Sequence, residues 1–154
     1  MSTTIAGTVL AAPLGEVLGR GALAILAYAV LGVLLLIAGF YLIDLATPGR
    51  LSKLITQERN PNATVLAASG VFGVGLIVAA SIWSSGGILQ EGLVATLVFG
   101  LVGLVAQTLG MIVFDRLAGI SVRELVTEPR LHPSAILLGV THVAIGLITA
   151  VAVI

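Results

Sequence analysis

The sequence contains no cysteine and few charged residues, and both absences limit what the protein can be. Without cysteine there is no disulfide, no thiol nucleophile and no thiolate metal site. Only 9% of the residues are Asp, Glu, Lys or Arg, whereas a soluble domain has about 25%. Because so few charges cannot cover a water-exposed surface, most of the surface must face apolar surroundings.

An excess of positive charge is also missing, since seven Lys or Arg are balanced by seven Asp or Glu. A nucleic-acid-binding protein needs a basic surface to neutralise phosphates, so nucleic acid is excluded as a partner. Residues 1–19 contain no Lys or Arg, and a cleaved signal peptide needs a positive region there. We expect residues 1–21 to be an extracytoplasmic or interfacial lead-in, loose as far as Leu18 because Pro13 and nearby glycines weaken a helix.

Long apolar runs occupy most of the remaining sequence, with 58% hydrophobic residues and a mean hydropathy of +1.21. A helix needs about 20 apolar residues to cross a hydrocarbon layer of about 30 Å. Four segments meet this requirement, at about 22–45, 63–83, 93–115 and 135–154. The sequence therefore predicts an all-α, multi-pass membrane protein with a four-helix transmembrane domain at 22–154.

Basic residues are concentrated in two of the three links between these segments. Cytoplasmic loops are enriched in Lys and Arg, whereas the link at 84–92 has none. The pattern predicts an N-out/C-out orientation with both basic links inside and Trp83 at the outer interface. The cations concerned are Arg50, Lys53, Arg59, Arg116, Arg123 and Arg130.

The two halves of the chain resemble each other at a spacing of 71 residues, as from Asp44 to Asp115. We predict two parallel-repeat helix hairpins, at about 22–83 and 93–154, related by a pseudo-twofold axis along the membrane normal. Small residues let helices approach closely in lipid, so the repeated glycines are predicted packing sites. These are Gly32, Gly39 and Gly75 in the first half and Gly103, Gly110 and Gly146 in the second.

Each basic link contains a short apolar pattern and a polar residue before the next span. Leu51, Leu54 and Ile55 share one helical face, which suits either an interfacial helix or a single turn folded under the bundle. Asn62 and Ser134 stand where a helix re-enters the membrane. We predict that their side chains cap these helices, because Asn and Ser oxygens satisfy orphan N–H groups.

Several of these features together resemble a bacterial membrane family, the domain of unknown function 350. The resemblance lies in the two tandem helix pairs, Asn62-Ala63, Ser69-Gly70 and Gln107. It extends from about Leu31 to the C-terminus, so the first twenty or so residues look like an addition. It implies a location in the bacterial inner (plasma) membrane and no particular activity. The sequence departs from the family pattern at Ser134, where the family has Asn.

Gln107 and His142 are the polar residues deepest within the predicted spans. Each lies eight residues from the inner end of its segment, about 12 Å at 1.5 Å per residue. We predict that they face each other or the bundle interior and can share a hydrogen bond. They either join helices, for about 1 kcal/mol, or belong to a proton or solute path. Haem or metal ligation needs more than one buried His.

Asp44 and Asp115 lie near the inner ends of descending helices, where the helix dipole disfavours a carboxylate. We predict that loop cations or the N-terminus of a neighbouring re-entrant helix, which attracts anions, hold them in a structural clamp, with a gating role as the alternative. No catalytic, cofactor or metal site is predicted.

Two functions remain open. The first is a non-enzymatic structural or accessory subunit, as a homo-oligomer or in a larger membrane complex. The alternative is a small ion, proton or solute channel or transporter using Gln107 and His142.

Overall fold

The computed structural model describes residues 14–47, 49–85 and 88–154. All regular structure in these residues is helical, and four of the helices are long and apolar enough to cross a membrane. This confirms the predicted all-helical, four-span class. The long helices are α1 (Leu14–Ala46), α3 (Pro61–Ser84), α4 (Leu89–Ala118) and α6 (Pro133–Val153); short helices α2 (Leu51–Thr56) and α5 (Val122–Leu125) precede α3 and α6.

Helix α1 begins at Leu14, well before the first apolar run expected to span the membrane. It has 33 residues, hence a length of about 50 Å. Part of the lead-in, Leu14–Gly21, is therefore helical here, whereas loose chain was expected as far as Leu18. An ion pair between Glu16 and Arg20, at 2.7 Å and one helical turn apart, supports this first stretch. Residues 1–13 of the expected lead-in lie outside the described residues.

Helices α3 and α6 each begin with proline at the first helical position. Proline suits this position because its missing N–H is one that the helix leaves unpaired. The capping residues are therefore Asn60 and His132, which correct the predicted caps Asn62 and Ser134. Asn60 Oδ1 accepts from the Ala63 N–H at 2.9 Å, and His132 Nδ1 accepts from the Ser134 N–H at 3.2 Å.

Helix α3 lies at the centre of the packing and contacts α1, α4 and α6, most extensively α6. Helix α4 also contacts α1 and α6, whereas α1 and α6 have little contact with each other. An exact twofold axis would exchange α1 with α4 and α3 with α6. The α1–α6 pair would then have as much contact as the α3–α4 pair, which it does not. The packing therefore departs from an exact twofold arrangement: α3, α4 and α6 all contact one another, and α1 packs on α3 and α4.

The end of the bundle that carries the basic links has a core built from all parts of the chain. Leu51 of α2 and Leu125 of α5 are buried there with Ala63 and Ala135, at the starts of α3 and α6. Leu54 and Ile55 pack against the same cluster. Of the two alternatives for this pattern, the structure has a short helix whose apolar face is folded against the bundle.

Candidate functional site

Close contact between α3 and α6 brings the polar residues of the interior together. A Cβ atom at Gly146 would lie 2.5 Å from the Cα atom of Gly73, so the two backbones touch. At Gly73 a Cβ would meet the Nε2 atom of Gln107 at 2.5 Å. Only glycine at these positions lets α4 and α6 press their polar side chains against α3.

The Gln107 side chain is directed from α4 towards α3. It is 5% exposed, and its Nε2 donates to the carbonyl oxygen of Gly70 at 3.1 Å. Its other polar atom, Oε1, is buried and has no hydrogen-bond partner in the described part of the chain. A glutamine buried in this way joins two helices with its amide and leaves one acceptor unused.

The His142 side chain is directed from α6 towards Ser69, the residue before Gly70 in α3. It is 2% exposed, and its Nδ1 lies 3.3 Å from the hydroxyl oxygen of Ser69. Its Nε2 is buried and unpaired among the described residues. Both polar residues thus lie in the interior, as predicted, but each bonds to α3. The direct hydrogen bond expected as possible between Gln107 and His142 is not formed, because each side chain bonds to α3 instead.

A small cavity adjoins both side chains. It leaves about 10 Å³ in which the centre of a water molecule can lie, close to the minimum for one water. The rest of its wall is apolar except for Thr108, whose hydroxyl already donates to the Leu104 carbonyl. Of the residues that line it, Gln107 and His142 therefore carry the unpaired polar atoms. The lining residues are Gly39, Ile43, Gly70, Val74, Leu104, Gln107, Thr108, Met111 and His142.

The two aspartates expected to form a clamp behave differently. Asp44 Oδ1 accepts a short hydrogen bond from the backbone N–H of Leu51, the first residue of α2. This is a helix N-terminus, but that of the short helix in its own link, whereas the expectation was a neighbouring helix that re-enters the membrane. Asp115 Oδ1 is buried without a partner, and neither aspartate forms an ion pair within the described ranges.

Asp115 lies beside a second, tighter space that His142 also lines, together with Thr47. This space leaves no room for the centre of a water molecule. The unpaired atoms of Gln107, His142 and Asp115 therefore follow one another along the interior towards the end with the basic links.

Two asparagines, Asn60 and Asn62, join the first basic link to the second. The sequence had suggested a role for Asn62 alone, as a helix cap. The fully buried Asn62 places its Nδ2 within 3.1 Å of the carbonyl oxygens of Leu125, Glu128 and Arg130. Its Oδ1 accepts from the His132 N–H at 2.8 Å. Asn60 Nδ2 donates to the Val126 carbonyl at 2.8 Å. Asn62 is thus a tie between the two halves of the chain.

The predicted packing glycines differ in how closely they are approached. At Gly39, Gly103 and Gly110 a Cβ would lie between 2.5 and 3.1 Å from its nearest side chain. At Gly32 and Gly75 the nearest atoms are 3.6 and 4.0 Å away, which is ordinary contact. The spacing of small residues indicated the contact faces but did not separate close from loose positions.

A cleft of about 330 Å³ at the loop end is open to the surroundings and is lined partly by Glu124, Glu128, His132 and Ser134. No three His, Cys, Asp or Glu side chains are grouped so that they could hold a metal ion within residues 14–47, 49–85 and 88–154.

Four apolar helices packed around a few buried polar side chains define an integral membrane protein of the four-helix class. The chain belongs to the family described as Domain of Unknown Function (DUF350), which matches residues 16–153. The match includes most of α1, so the family region begins earlier than Leu31 and the first twenty residues are not all an addition.

Two relatives carry the name UPF0719 transmembrane protein. The one from Mycolicibacterium paratuberculosis is 35% identical over 134 residues, covering 87% of this chain and 89% of the relative. The one from Mycobacterium bovis is 31% identical over 133 residues, covering 86% and 88%. No solved structure matches the chain.

Proposed function

We propose that this protein is a non-enzymatic structural or accessory subunit that assembles in the membrane through α1, as a homo-oligomer or in a larger complex. The observation that supports this role is the outer part of α1. The Tyr28 hydroxyl bonds to the Ser85 hydroxyl at 3.0 Å, next to the turn between α3 and α4. Residues 14–27 of α1 therefore continue for about 20 Å beyond this bond.

The projecting part of α1 has apolar side chains that no other described residue covers. Leu14 is 73% exposed and Ile25 is 70% exposed, and a Cβ at Gly15 or Gly19 would meet no atom within 4 Å. Helices with accessible small residues associate when their backbones can approach. A helix of a second subunit would cover this part of α1, and the assembly role rests on that contact.

Cysteine scanning tests the assembly directly, since the chain has no cysteine of its own. Each residue from Gly15 to Ile25 is replaced in turn by cysteine. The native membranes that contain each variant are oxidised, and the cross-linked products are separated by mass. We expect products to recur every three or four positions, as one helix face demands, at the mass of a dimer or of a complex with another subunit. Ser52→Cys, exposed in α2, is the control. Uniformly monomeric protein at every position would contradict the proposal.

We further propose that both basic links face the cytoplasm of a bacterium, with the protein in the inner (plasma) membrane and the two hairpins in parallel. All six of their cations are exposed at one end of the bundle, which supports an orientation set by the positive-inside rule. The similar order of long and short helices in the two halves supports the parallel repeat.

The second candidate function is a small ion, proton or solute channel or transporter using Gln107 and His142. The unpaired atoms beside the interior cavity favour it. Towards the outer end, Leu35 packs on Gly100 and Ile77 packs on Gly103, so conduction would require these contacts to open. Flux measured in liposomes, with His142→Ala as the comparison, tests this function: equal flux from both proteins and from empty liposomes eliminates it.

A further inference from the structure

The cavity between Gln107 and His142 has a definite hydrogen-bonding character, which follows from the bonds around it. Ser69 has one hydroxyl hydrogen, and its Oγ donates that hydrogen to the Leu66 carbonyl at 3.0 Å. The contact between Ser69 Oγ and His142 Nδ1 must then be donated by the imidazole. A neutral His142 therefore carries its hydrogen on Nδ1, and its Nε2 presents a lone pair.

Gln107 presents a lone pair as well. Its Nε2 amide group donates to the Gly70 carbonyl, which fixes the other end of the side chain as the carbonyl Oε1, and that oxygen is unpaired. Two buried acceptors therefore border the same cavity. Buried acceptors without a donor are energetically costly, and two acceptors cannot satisfy each other.

We propose that the cavity binds one water molecule, which donates one hydrogen to His142 Nε2 and the other to Gln107 Oε1. The available volume of about 10 Å³ suits a single water, and a water has the two donors that the two acceptors require. The bound water would satisfy both acceptors at once. The inference does not depend on the assembly role of α1.

The protein itself contains one competing donor, Asp115, which shares the tighter space with His142. A protonated Asp115 could donate directly to Nε2 without any water. The other residues lining that space are Ile43, Thr47, Leu66, Met111 and Val122, so Asp115 is the only other titratable group there. The experiment must therefore separate water from Asp115.

The test uses the full chain in lipid bilayers with ¹⁵N-labelled histidine, read by solid-state NMR. His132→Asn, which keeps a good capping residue, identifies the signals of His142. We expect hydrogen on Nδ1, none on Nε2, and magnetisation transfer from water protons to Nε2. In Gln107→Leu, which removes one acceptor and puts a branched side chain at the cavity, this transfer should be lost.

Thr108→Val is the matched control, because Thr108 lines the same cavity but its hydroxyl already donates to the Leu104 carbonyl at 2.8 Å. Transfer should persist in that variant and in Asp115→Leu. Hydrogen on Nε2, no transfer in the unsubstituted protein, or equal transfer in Gln107→Leu would overturn the proposal. Loss of the Nε2 hydrogen bond in Asp115→Leu but not in Gln107→Leu would identify Asp115 as the donor instead.

Discussion

The backbone of Gly146 in α6 touches the backbone of Gly73 in α3, so that a Cβ atom at Gly146 would lie 2.5 Å from the Gly73 Cα. Backbone atoms cannot move aside as a flexible side chain can. We therefore expect Gly146→Ala to separate α3 from α6 and to lower the free energy of unfolding by about 2 kcal/mol, the usual cost of overpacking a core. Thermal unfolding in mild detergent, followed by circular dichroism, measures the loss.

Gly75→Ala is the control for that substitution, because its nearest neighbour, Leu36, would be 4.0 Å from the new Cβ. Alanine is also the better helix former. We expect no loss of stability in this variant. If both variants unfolded at the same temperature, the close approach of α3 and α6 would not be the feature that distinguishes the two glycines.

Asn62 connects the start of α3 to four backbone groups of the second link. Replacing it by alanine removes the side-chain partner of the Arg130 carbonyl and the His132 N–H. The Leu125 and Glu128 carbonyls keep their bonds from the Glu128 N–H and from Asn60. We predict that Asn62→Ala loosens residues 125–132, seen as faster hydrogen exchange of the His132 amide and faster proteolysis at Arg130. The exposed Gln57 provides the control, and unchanged exchange in Asn62→Ala relative to Gln57→Ala would refute the prediction.

Asp44 and Asp115 lie 71 residues apart, the spacing of the predicted repeat, but of the two only Asp44 binds the start of a short helix. Asp44→Ala should cost about 1 kcal/mol, as the loss of a capping acceptor does. Asp115→Ala removes an oxygen that is buried without a partner, so we expect no loss or a small gain. Chemical unfolding of the two variants beside the unsubstituted protein compares them; a greater loss for Asp115→Ala would reverse the assignment.

The orientation of the bundle can be tested with single cysteines in a chain that otherwise has none. Gln90 and Gln57 are both exposed and lie at opposite ends of the bundle. In spheroplasts, whose plasma membrane is intact, a charged maleimide that cannot cross the membrane should label Gln90→Cys and spare Gln57→Cys. Both should react after lysis. Labelling of Gln57→Cys alone in intact spheroplasts would place the basic links outside.

Hydropathy predicted the four long helices well, because a run of about 20 apolar residues has few stable alternatives. The starts of α3 and α6 were less accurate. The apolar residues begin at Ala63 and Ala135, but the helices begin two residues earlier, at Pro61 and Pro133. Attention to the preference of proline for the first helical turn would have identified Asn60 as a cap.

The interior polar residues could be recognised from the sequence, but their partners could not. A Gln or His inside an apolar span is unusual, so Gln107 and His142 were evident. Ser69 and Gly70 became partners only through the rotation and separation of three helices. Thr96 was overlooked: it is fully buried with an unpaired hydroxyl, and nothing in its sequence neighbourhood distinguishes it from other threonines.

The tie made by Asn62 also has a consequence for how the protein is synthesised. Every partner of its side chain comes from Leu125, Glu128, Arg130 or His132, which leave the ribosome more than sixty residues later. Until then the amide must stay hydrated, since an unpaired amide in an apolar core is costly. The first hairpin therefore cannot settle into its final position during translation before the second hairpin has emerged, and it should be an easy substrate for quality-control proteases if synthesis stops between them.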